Sequence, residues 1–390
     1  MSRNSDHIRI LHTADWHLGR EFHGADLTAA HQHFFDWLAG QIEERGVDLV
    51  VMAGDIFDRA LPPAASVELL NEQLERISGL CRIALIAGNH DSMQRLSYGP
   101  LLRPGIHLAS GTAHIGRPFE FAIHGIDLLV YPVPYLDPGS TAEDLGAAES
   151  RHQEVLKAAF DRCREDLAGR NGSPRSVAVA HAFVQGAEES DSERTISIGD
   201  ADRVPTTLLD GFDYVALGHL HRPQQVAGGM RYSGSPIPLS YSEVGEGLEK
   251  SVTLVDLPAE GQPVVELVEV PQYRKFERIR GTLDELLAED AFEESRDSWL
   301  EITLTDEKRP DQPMERLRGR FGQIMLLRFE SPISTGEDGD AQELTGLARA
   351  DPVELSGRFL EEVRGDGPDE QERELLEQAV RSEAGAEVSG

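Results

Sequence analysis

The chain has 390 residues, with 37 Lys and Arg against 69 Asp and Glu, which gives a formal net charge of −32. This length allows two or three domains with a large core, and the acidic excess argues against a protein that wraps nucleic acid through a basic surface. The two cysteines, Cys81 and Cys163, lack a CxxC spacing, which argues against a disulfide framework and against thiolate metal ligation.

The N-terminal residues 1–6 are polar, and no long apolar run follows them. We therefore expect no signal peptide, no membrane span and a cytoplasmic location. The acid is uneven along the chain, because residues 331–390 hold 16 Asp and Glu against five Arg and no Lys, a net charge of −11. Such charge runs are typical of solvated faces.

Short apolar runs alternate with helical patterns over the first hundred residues, which predicts buried strands with helices between them. In chain order, the sequence predicts strand 7–13, a helix from an N-cap at Asp26 to Arg45, strand 48–53, helix 64–77, strand 82–87 and helix 92–102. Residues 106–134 instead alternate and turn often, which indicates antiparallel strands of a second sheet.

The central part of the chain continues this pattern. The predicted elements there are helix 147–168, strands 176–180 and 213–217, and strands 226–232, 251–257 and 264–270. We expect the last three strands to continue the second sheet. The polar segment 186–197 is expected to form a mobile loop beside the functional site.

Three domains are predicted. Residues 1–272 form the first, residues 273–330 form a small βαβαβ capping domain, and residues 331–390 form an acidic linker with a helical tail. The tail helices are expected at 352–364 and 370–381. No P-loop motif is present, so the chain is not expected to hydrolyse a nucleoside triphosphate by that route.

Five of the predicted strands end in Asp, Asn or His side chains, and open α/β sheets place ligands at the carboxyl ends of their strands. These residues are Asp15 and His17, Asp55 and Asp58, Asn89 and His90, His181, and His219 and His221. Carboxylate, amide and imidazole ligands suit manganese, iron or zinc. The pattern predicts a site for two divalent metals, with Asp55 as the group that touches both.

The spacing of these residues suggests roles for them. In an extended loop residues i and i+2 point the same way, so Asp15 and His17 can reach one metal. His90 would point away from Asn89 and meet the substrate, as a proton donor or as a charge stabiliser. Asp58 could fix the orientation of His90. Two ions that share a hydroxide could then drive its in-line attack on phosphorus.

The five motifs resemble the signature of the calcineurin-like metallophosphoesterase superfamily. Residues 11–19, residues 54–58 with Pro62 and Pro63, and residues 233–236 look more closely like the SbcD family, the nuclease subunits of bacterial SbcCD complexes. The match covers about residues 7–330. It implies a four-layer α/β/β/α sandwich with a small α/β capping domain and a helical C-terminal tail.

The resemblance also implies the site and the activity. It assigns Asp15, His17, Asp55 and His221 to one manganese ion, Asp55, Asn89, His181 and His219 to the other, and the catalytic role to His90. The family acts in DNA repair and recombination as an exonuclease on double-stranded ends and an endonuclease on single strands and hairpins. Asp58 stands where archaeal and eukaryotic relatives carry a histidine, which leaves open how His90 is oriented.

The same resemblance implies partners. These are DNA, an SbcC-type ATPase subunit and a second copy of this chain, within a heterotetramer. Family dimers form through the helices that flank the third strand, which makes Leu69, Leu70 and Leu101 candidate contacts. The apolar residues of helix 352–364 are expected either to dock on the ATPase or to fold back on the catalytic domain.

Two other functions stay open at this point. The metal ligands also fit a phosphomonoesterase or a cyclic-nucleotide phosphodiesterase of the same superfamily. A scaffold that has lost catalysis and only tethers DNA is disfavoured, because every expected ligand is present.

Overall fold

A computed structural model of the chain describes residues 6–96, 104–193, 203–245, 247–288 and 290–330, and a few positions between 353 and 378. Contacts divide the chain into two units, residues 1–330 and 331–390. Among the described residues, no helix is long and apolar enough to cross a membrane.

The residue ranges of both predicted tail helices fall within the second unit. Residues 371–376 are helical and fall within the predicted helix 370–381. The predicted linker and most of the predicted helix 352–364 lie outside the described residues.

The strands and helices of the first unit are numbered in chain order. The strands are β1 (His7–Thr13), β2 (Glu21–Phe22), β3 (Ala25–Asp26), β4 (Leu49–Ala53), β5 (Arg82–Ile86), β6 (Ile106–Ala109), β7 (Phe119–Ile123), β8 (Ile126–Val133), β9 (Arg175–His181), β10 (Tyr214–Gly218), β11 (Gln224–Ala227), β12 (Met230–Tyr232), β13 (Ser251–Pro258), β14 (Val264–Glu269), β15 (Phe276–Gly281), β16 (Trp299–Leu304) and β17 (Ile324–Phe329). The helices are α1 (Thr28–Arg45), α2 (Ala64–Ser78), α3 (Met93–Leu96), α4 (Pro138–Leu145), α5 (His152–Ala168), α6 (Leu283–Ala288) and α7 (Pro313–Arg318).

Two six-stranded sheets form the body of this unit. The first has the order β14-β13-β1-β4-β5-β6, and β1, β4, β5 and β6 run parallel. The second has the order β11-β12-β10-β9-β8-β7, with β8, β9 and β10 parallel. The central strands are continuous apolar runs because both faces of each sheet are covered.

The layers are helix, sheet, sheet and helix. Side chains of α1 and α2, such as Phe35 and Leu74, pack on the outer face of the first sheet. Residues such as Val51 and Val179 fill the space between the two sheets. Phe160 of α5 packs on the outer face of the second sheet. The predicted four-layer α/β/β/α sandwich is confirmed.

Residues 276–329 form the predicted βαβαβ unit. Its three strands are parallel in the order β15-β16-β17. Phe276 and Trp299 pack against Phe22 and Tyr241 of the sandwich, so the unit is attached through an aromatic contact. The role of this unit as a separate capping domain stays a prediction.

Sheet membership was partly mispredicted. β13 and β14 form, but they lie in the first sheet, because β13 pairs antiparallel with the free edge of β1. β6 also lies in the first sheet, where it pairs in parallel with β5. Periodicity identifies a strand but carries no information on which strand edge it will join.

Several helix boundaries were also wrong. The predicted helix 147–168 begins at His152, and a separate helix, α4, precedes it. The N-cap position of α1 is Leu27, although the Asp26 carboxylate still accepts from the Thr28 amide at 2.7 Å. The predicted helix 92–102 is described only as α3, and Leu101 lies outside the described residues.

The residues proposed for a dimer contact on α2 do not lie on a free surface. Leu69 and Leu70 are buried in the core cluster beneath that helix, because they occupy its apolar face. Exposed apolar side chains on this helix or next to it in the chain include Val67, Leu61 and Leu80.

His12 is a core residue that joins the two sheets through buried polar contacts. Its Nδ1 lies 3.0 Å from the Tyr214 hydroxyl and its Nε2 lies 3.2 Å from the Leu217 carbonyl oxygen. Burial lowers the pKa of His12 from its ordinary value of 6.5 to about 3. Between these two pH values the unfolded chain binds more protons at His12 than the folded chain does. The free energy of unfolding is therefore unaffected by His12 protonation above pH 6.5 and decreases as the pH falls below it.

We predict that His12→Phe removes this pH dependence. From pH 7.5 to 5.5 the free energy of unfolding of the parent chain should fall by about 1.4 kcal/mol more than that of the variant. The reason is that pH 5.5 lies one unit below the unfolded-state pKa of His12, and one unit corresponds to about that free energy. Urea unfolding at the two pH values measures the change. Tyr214→Phe, which removes only the partner hydroxyl, is the matched control and should keep the pH dependence. A fall of equal size in the parent chain and in His12→Phe would contradict a neutral, buried His12.

Candidate metal centre

The predicted ligands meet at one rim, formed by the carboxyl ends of strands from both sheets. The loop after β1 carries Asp15 and His17, the loop after β4 carries Asp55, and the loop after β5 carries Asn89. In the second sheet, His181 ends β9, and His219 and His221 follow β10. All of these side chains except that of Asn89 are essentially excluded from solvent.

One group of side chains consists of Asp15, His17 and His221. One potential ligand atom from each residue lies within 4.8 Å of the others. The Nε2 atoms of His17 and His221 face each other at 3.1 Å. Two imidazole nitrogens that point at one small space are the arrangement expected around a bound cation.

The second group consists of Asp55, His181 and His219, again with ligand atoms within 4.8 Å of one another. The amide oxygen of Asn89 joins it, at 2.8 Å from His181 Nε2 and 3.2 Å from His219 Nδ1. The side chains proposed for the second ion are therefore gathered in one place.

Asp55 lies between the two groups. Its Oδ2 atom is 3.6 Å from His17 Nε2 in the first group and 3.5 Å from His181 Nε2 in the second. One carboxylate oxygen is thus equally near a ligand atom of each group, which is the position that a bridging ligand requires.

The two central carboxylates are aimed by main-chain amides. Both oxygens of Asp15 accept from the His219 amide, at 2.9 and 3.1 Å. Asp55 Oδ1 accepts from the His90 amide at 2.9 Å. Each contact joins two different loops. The loop after β10 thus positions Asp15, and the loop after β5 positions Asp55.

Asp91 is a residue to which the sequence analysis gave no role. Its carboxylate accepts from the amides of Ile56, Phe57 and Gly88, so it ties the Asp55 loop to the Asn89 loop. Burial and the nearby Asp55 carboxylate raise the pKa of Asp91 to about 7. In the sequence, Asp91 could have been noticed only because it follows Asn89 and His90 directly. Its contacts depend on the tertiary fold.

The backbone at the rim is not extended, which corrects the argument used for Asp15 and His17. Their φ angles are 55° and 46°, and those of Asp55 and His219 are 50° and 107°. Left-handed backbone costs a non-glycine residue about 1–3 kcal/mol and tends to occur at functional sites. Both side chains still reach the same group, but the turn of the loop brings them there.

Close packing explains two glycines at the rim. A Cβ atom at Gly88 would overlap the Asp55 carboxylate, and one at Gly54, whose φ is 91°, would overlap the His181 ring. A side chain at Gly88 would therefore displace the proposed ligand Asp55, and one at Gly54 would displace the proposed ligand His181.

The electrostatics of the groups fit divalent cations. Burial lowers the pKa of His17 to about 3 and also lowers the pKa values of His181 and His219, so these rings are held in the neutral form that binds metals. Burial and Asp55 raise the pKa of Asp15. Among the described residues, Asp15 and Asp55 have ion-pair contacts only with histidines. Two buried carboxylates without a compensating cation are costly, and bound divalent ions supply that charge.

His90 and Asp58 are related differently from the prediction. His90 Nδ1 lies 2.7 Å from the main-chain oxygen of Asp58, not from its carboxylate. The Asp58 carboxylate instead lies 3.1 Å from Arg20 Nη1 and 3.5 Å from His17 Nδ1. The side chain of Asp58 therefore faces a proposed ligand, and its main chain orients His90.

The sequence analysis also missed a buried polar cluster behind His221. It consists of Ser192, Glu193, Glu243 and Lys250, all excluded from solvent or nearly so. The predicted loop 186–197 supplies two of these residues, so its described part, 186–193, lies beside the site. A buried Glu and a buried Lys cannot be recognised in the sequence, because both residue types are usually exposed.

Comparison with known proteins places the chain among related sequences. Residues 8–223 match the calcineurin-like phosphoesterase family, and residues 272–364 match the family described as type 5 capsule protein repressor C-terminal domain. The SbcD chain of the nuclease SbcCD from Escherichia coli K12 is 34% identical over 323 residues, which cover 77% of this chain and 79% of that protein. The same protein of Escherichia coli O157:H7 gives the same values.

Among solved structures, a dimetal phosphatase from Danio rerio has a TM-score of 0.39 and 13% identity, covering 68% of this chain and 97% of that one. This score is too low to support an argument about this chain.

We predict that Gly88→Ala disrupts the centre, because a Cβ atom there would overlap both the carboxylate and the main-chain nitrogen of Asp55. The added methyl group must displace the Asp55 carboxylate, so metal affinity should fall at least about 10-fold, the lower end of the effect of misplacing a ligand. Isothermal titration calorimetry measures the affinity. Gly40→Ala in α1, where a Cβ atom would meet nothing within 4 Å, is the control and should bind metal as the parent chain does. Unchanged affinity in Gly88→Ala would refute the packing argument.

Proposed function

The chain belongs to the SbcD family of calcineurin-like phosphoesterases, and from this premise we propose that it hydrolyses phosphodiester bonds of DNA with two metal ions bound at the rim. It is a metal-dependent nuclease. The observation that carries the two-metal proposal is the position of Asp55 Oδ2, equally near His17 Nε2 and His181 Nε2. Manganese is the proposed ion, since the ligands are carboxylate, amide and imidazole without thiolate.

The proximity of the side chains at the rim supports the ligand sets proposed from the sequence. Asp15, His17, Asp55 and His221 would hold one ion, and Asp55, Asn89, His181 and His219 would hold the other. When bound, the ions would neutralise phosphate oxygens and lower the pKa of a coordinated water. His17 Nδ1, the ring atom turned away from the first group, lies 3.5 Å from Asp58 Oδ1, so the Asp58 carboxylate faces the back of this proposed ligand.

His90 is the proposed catalytic residue, and its hydrogen bond defines what it can do. The Asp58 main-chain oxygen can only accept, so His90 Nδ1 carries a proton. His90 Nε2, 4.0 Å from Asp55 Oδ2, is then the atom that faces the centre. In the imidazolium form it would present an N–H to a phosphate oxygen or to the leaving group, and so stabilise charge or donate a proton.

The acidic surface does not exclude a DNA substrate, because the two ions would bring about four positive charges to the place where phosphate binds. The partners we propose are DNA and an SbcC-type ATPase. A twofold assembly of two copies of each chain suits cleavage of two strands or of a hairpin. A cytoplasmic location belongs to the same proposal.

A substrate panel tests the proposed function. The panel consists of an end-labelled hairpin, a labelled duplex, p-nitrophenyl phosphate and a cyclic nucleotide, each with manganese. Cleavage of both DNA substrates in preference to the small ones is expected. Preferential hydrolysis of p-nitrophenyl phosphate or of the cyclic nucleotide would instead favour the phosphomonoesterase or the cyclic-nucleotide phosphodiesterase.

Two substitutions separate metal binding from chemistry. Asp55→Asn removes the charged ligand shared by both groups, so it should lower the amount of bound metal and abolish cleavage. His90→Ala should keep both ions and lower the rate by about 10²-fold or more, the usual size for one proton donor or electrostatic contact. Elemental analysis together with hairpin cleavage measures both.

The opposite results are equally informative. Two fully occupied metals and normal cleavage in Asp55→Asn would refute the bridging role. Loss of one metal in His90→Ala would make His90 a ligand instead of a catalytic residue.

We also propose that the C-terminal tail docks on the ATPase. The second matching family extends to residue 364 and so includes the whole of the predicted helix 352–364, whose Val353, Leu355 and Phe359 provide apolar anchors. Truncation after Glu330 should leave manganese-dependent cleavage of single-stranded DNA nearly intact and abolish co-purification with the ATPase. If the truncated chain binds the ATPase with unchanged affinity, the contact lies elsewhere.

A further inference from the structure

His221 is held at every polar atom except the one that faces the metal centre. Its main-chain nitrogen donates to Glu193 Oε1 at 2.8 Å, and its main-chain oxygen accepts from Lys250 Nζ at 2.7 Å. Its ring Nδ1 lies 2.5 Å from Ser192 Oγ. Only Nε2 is directed toward His17 and the first group of ligands.

Behind Ser192 lies an ion pair that is fully enclosed. Glu243 and Lys250 are 1% and 3% exposed, and Lys250 Nζ lies 2.5 Å from Glu243 Oε2. The other two protons of the ammonium group go to the His221 carbonyl oxygen and to Ser235 Oγ at 2.9 Å. Three protons meet three acceptors, so Lys250 is charged and Glu243 is its ionised partner.

The directions of the hydrogen bonds then follow from the proton count. The carboxylate of Glu243 can only accept, so the single proton of the Ser192 hydroxyl is donated to Glu243 Oε1. The same hydroxyl oxygen must therefore accept at its contact with His221. A neutral His221 ring, the form that binds a metal, consequently has its proton on Nδ1 and its lone pair on Nε2.

We propose that Glu243 and Ser192 form a relay that fixes the tautomer of His221 and thereby prepares Nε2 to bind the first metal. Both are positioning residues, because they act on the metal only through His221. This inference rests on the proposed metal assignment of His221 and adds the groups that make the ring competent. Carboxylate partners of metal-bound histidines commonly orient the ring, and here a serine hydroxyl lies between the two.

The other ligands do not share this device. His181 Nδ1 donates to the Ala53 main-chain oxygen at 2.9 Å, so the backbone fixes its tautomer and no substitution of a side chain can change it. His17 Nδ1 faces the Asp58 carboxylate directly, at 3.5 Å from Oδ1, with no hydroxyl between the two. The Ser192–Glu243 contact should therefore affect the affinity of the metal proposed at His221 and leave that of the other metal unchanged.

Ser192→Ala tests the relay, with Ser190→Ala as the matched control. Ser190 lies on the same segment and contacts Glu193, Glu243 and, at 2.9 Å, the Ser192 hydroxyl oxygen, but it does not contact His221, and its loss leaves the Ser192–Glu243 and Ser192–His221 contacts in place. Ser192→Ala should weaken binding of one of two manganese ions by about 10- to 100-fold, the usual effect of losing a partner of a metal ligand. Ser190→Ala should leave both affinities unchanged. Electron paramagnetic resonance of free manganese gives the two affinities.

The tautomer itself can be read in the metal-free protein. With ¹⁵N-labelled histidine, the His221 signals, assigned by comparison with His221→Ala, should show a protonated Nδ1 in the parent chain and in Ser190→Ala. Ser192→Ala should give a mixture of the two tautomers. Glu243→Gln tests the relay from its other end and should weaken the same metal. Thermal unfolding identifies any variant that fails to fold.

The outcomes separate this inference from the proposed function. If His221→Ala binds two ions with parental affinity, the metal assignment is wrong. If His221→Ala loses an ion but Ser192→Ala keeps both the affinity and the tautomer, the relay is refuted and the assignment stands. A loss of affinity in Ser190→Ala equal to that in Ser192→Ala would show a general effect of the segment, and would also refute the relay.

Discussion

The burial of two carboxylates among neutral imidazoles is the constraint on which the rest of the site depends. Asp15 and Asp55 are at most 1% exposed, and their ion-pair contacts among the described residues are with histidines alone. Buried charges of this kind are costly without a counter-charge, and bound cations would supply it. Bringing these side chains together has local costs. Four of the proposed ligands have left-handed backbone, and positions 54 and 88 have no room for a side chain.

The sandwich is well suited to this task because each sheet supplies part of both ligand sets. Asp55 comes from the first sheet, and its Oδ2 atom approaches His181 of the second. Asp15 of the first sheet is held by the amide of His219 of the second. The packed layer between the sheets and the His12–Tyr214 contact keep the two rims in register. A shift of one sheet against the other would therefore open the ligand sets, which links the stability of the core to the chemistry at its edge.

Much of this could be predicted from the sequence, for identifiable reasons. Apolar runs that end in Asp, Asn or His locate the strands and the proposed ligands together, which is why the side chains named from the sequence lie at one rim. Strand partners could not be predicted: β13 has the pattern of any buried strand, and only the free edge of β1 decides its sheet. The orientation of His90 could not be predicted either, since it depends on a main-chain oxygen that every residue type possesses. The roles of Asp91 and Glu243 depend on contacts between loops that are distant in the chain.

The central claim is that two metal ions share Asp55, and anomalous diffraction from manganese-loaded crystals tests it most directly. The account predicts two anomalous peaks, one among Asp15, His17 and His221 and the other among Asn89, His181 and His219, with the Asp55 carboxylate in contact with both. A single peak in manganese-saturated crystals, or two peaks of which only one contacts Asp55, would contradict it.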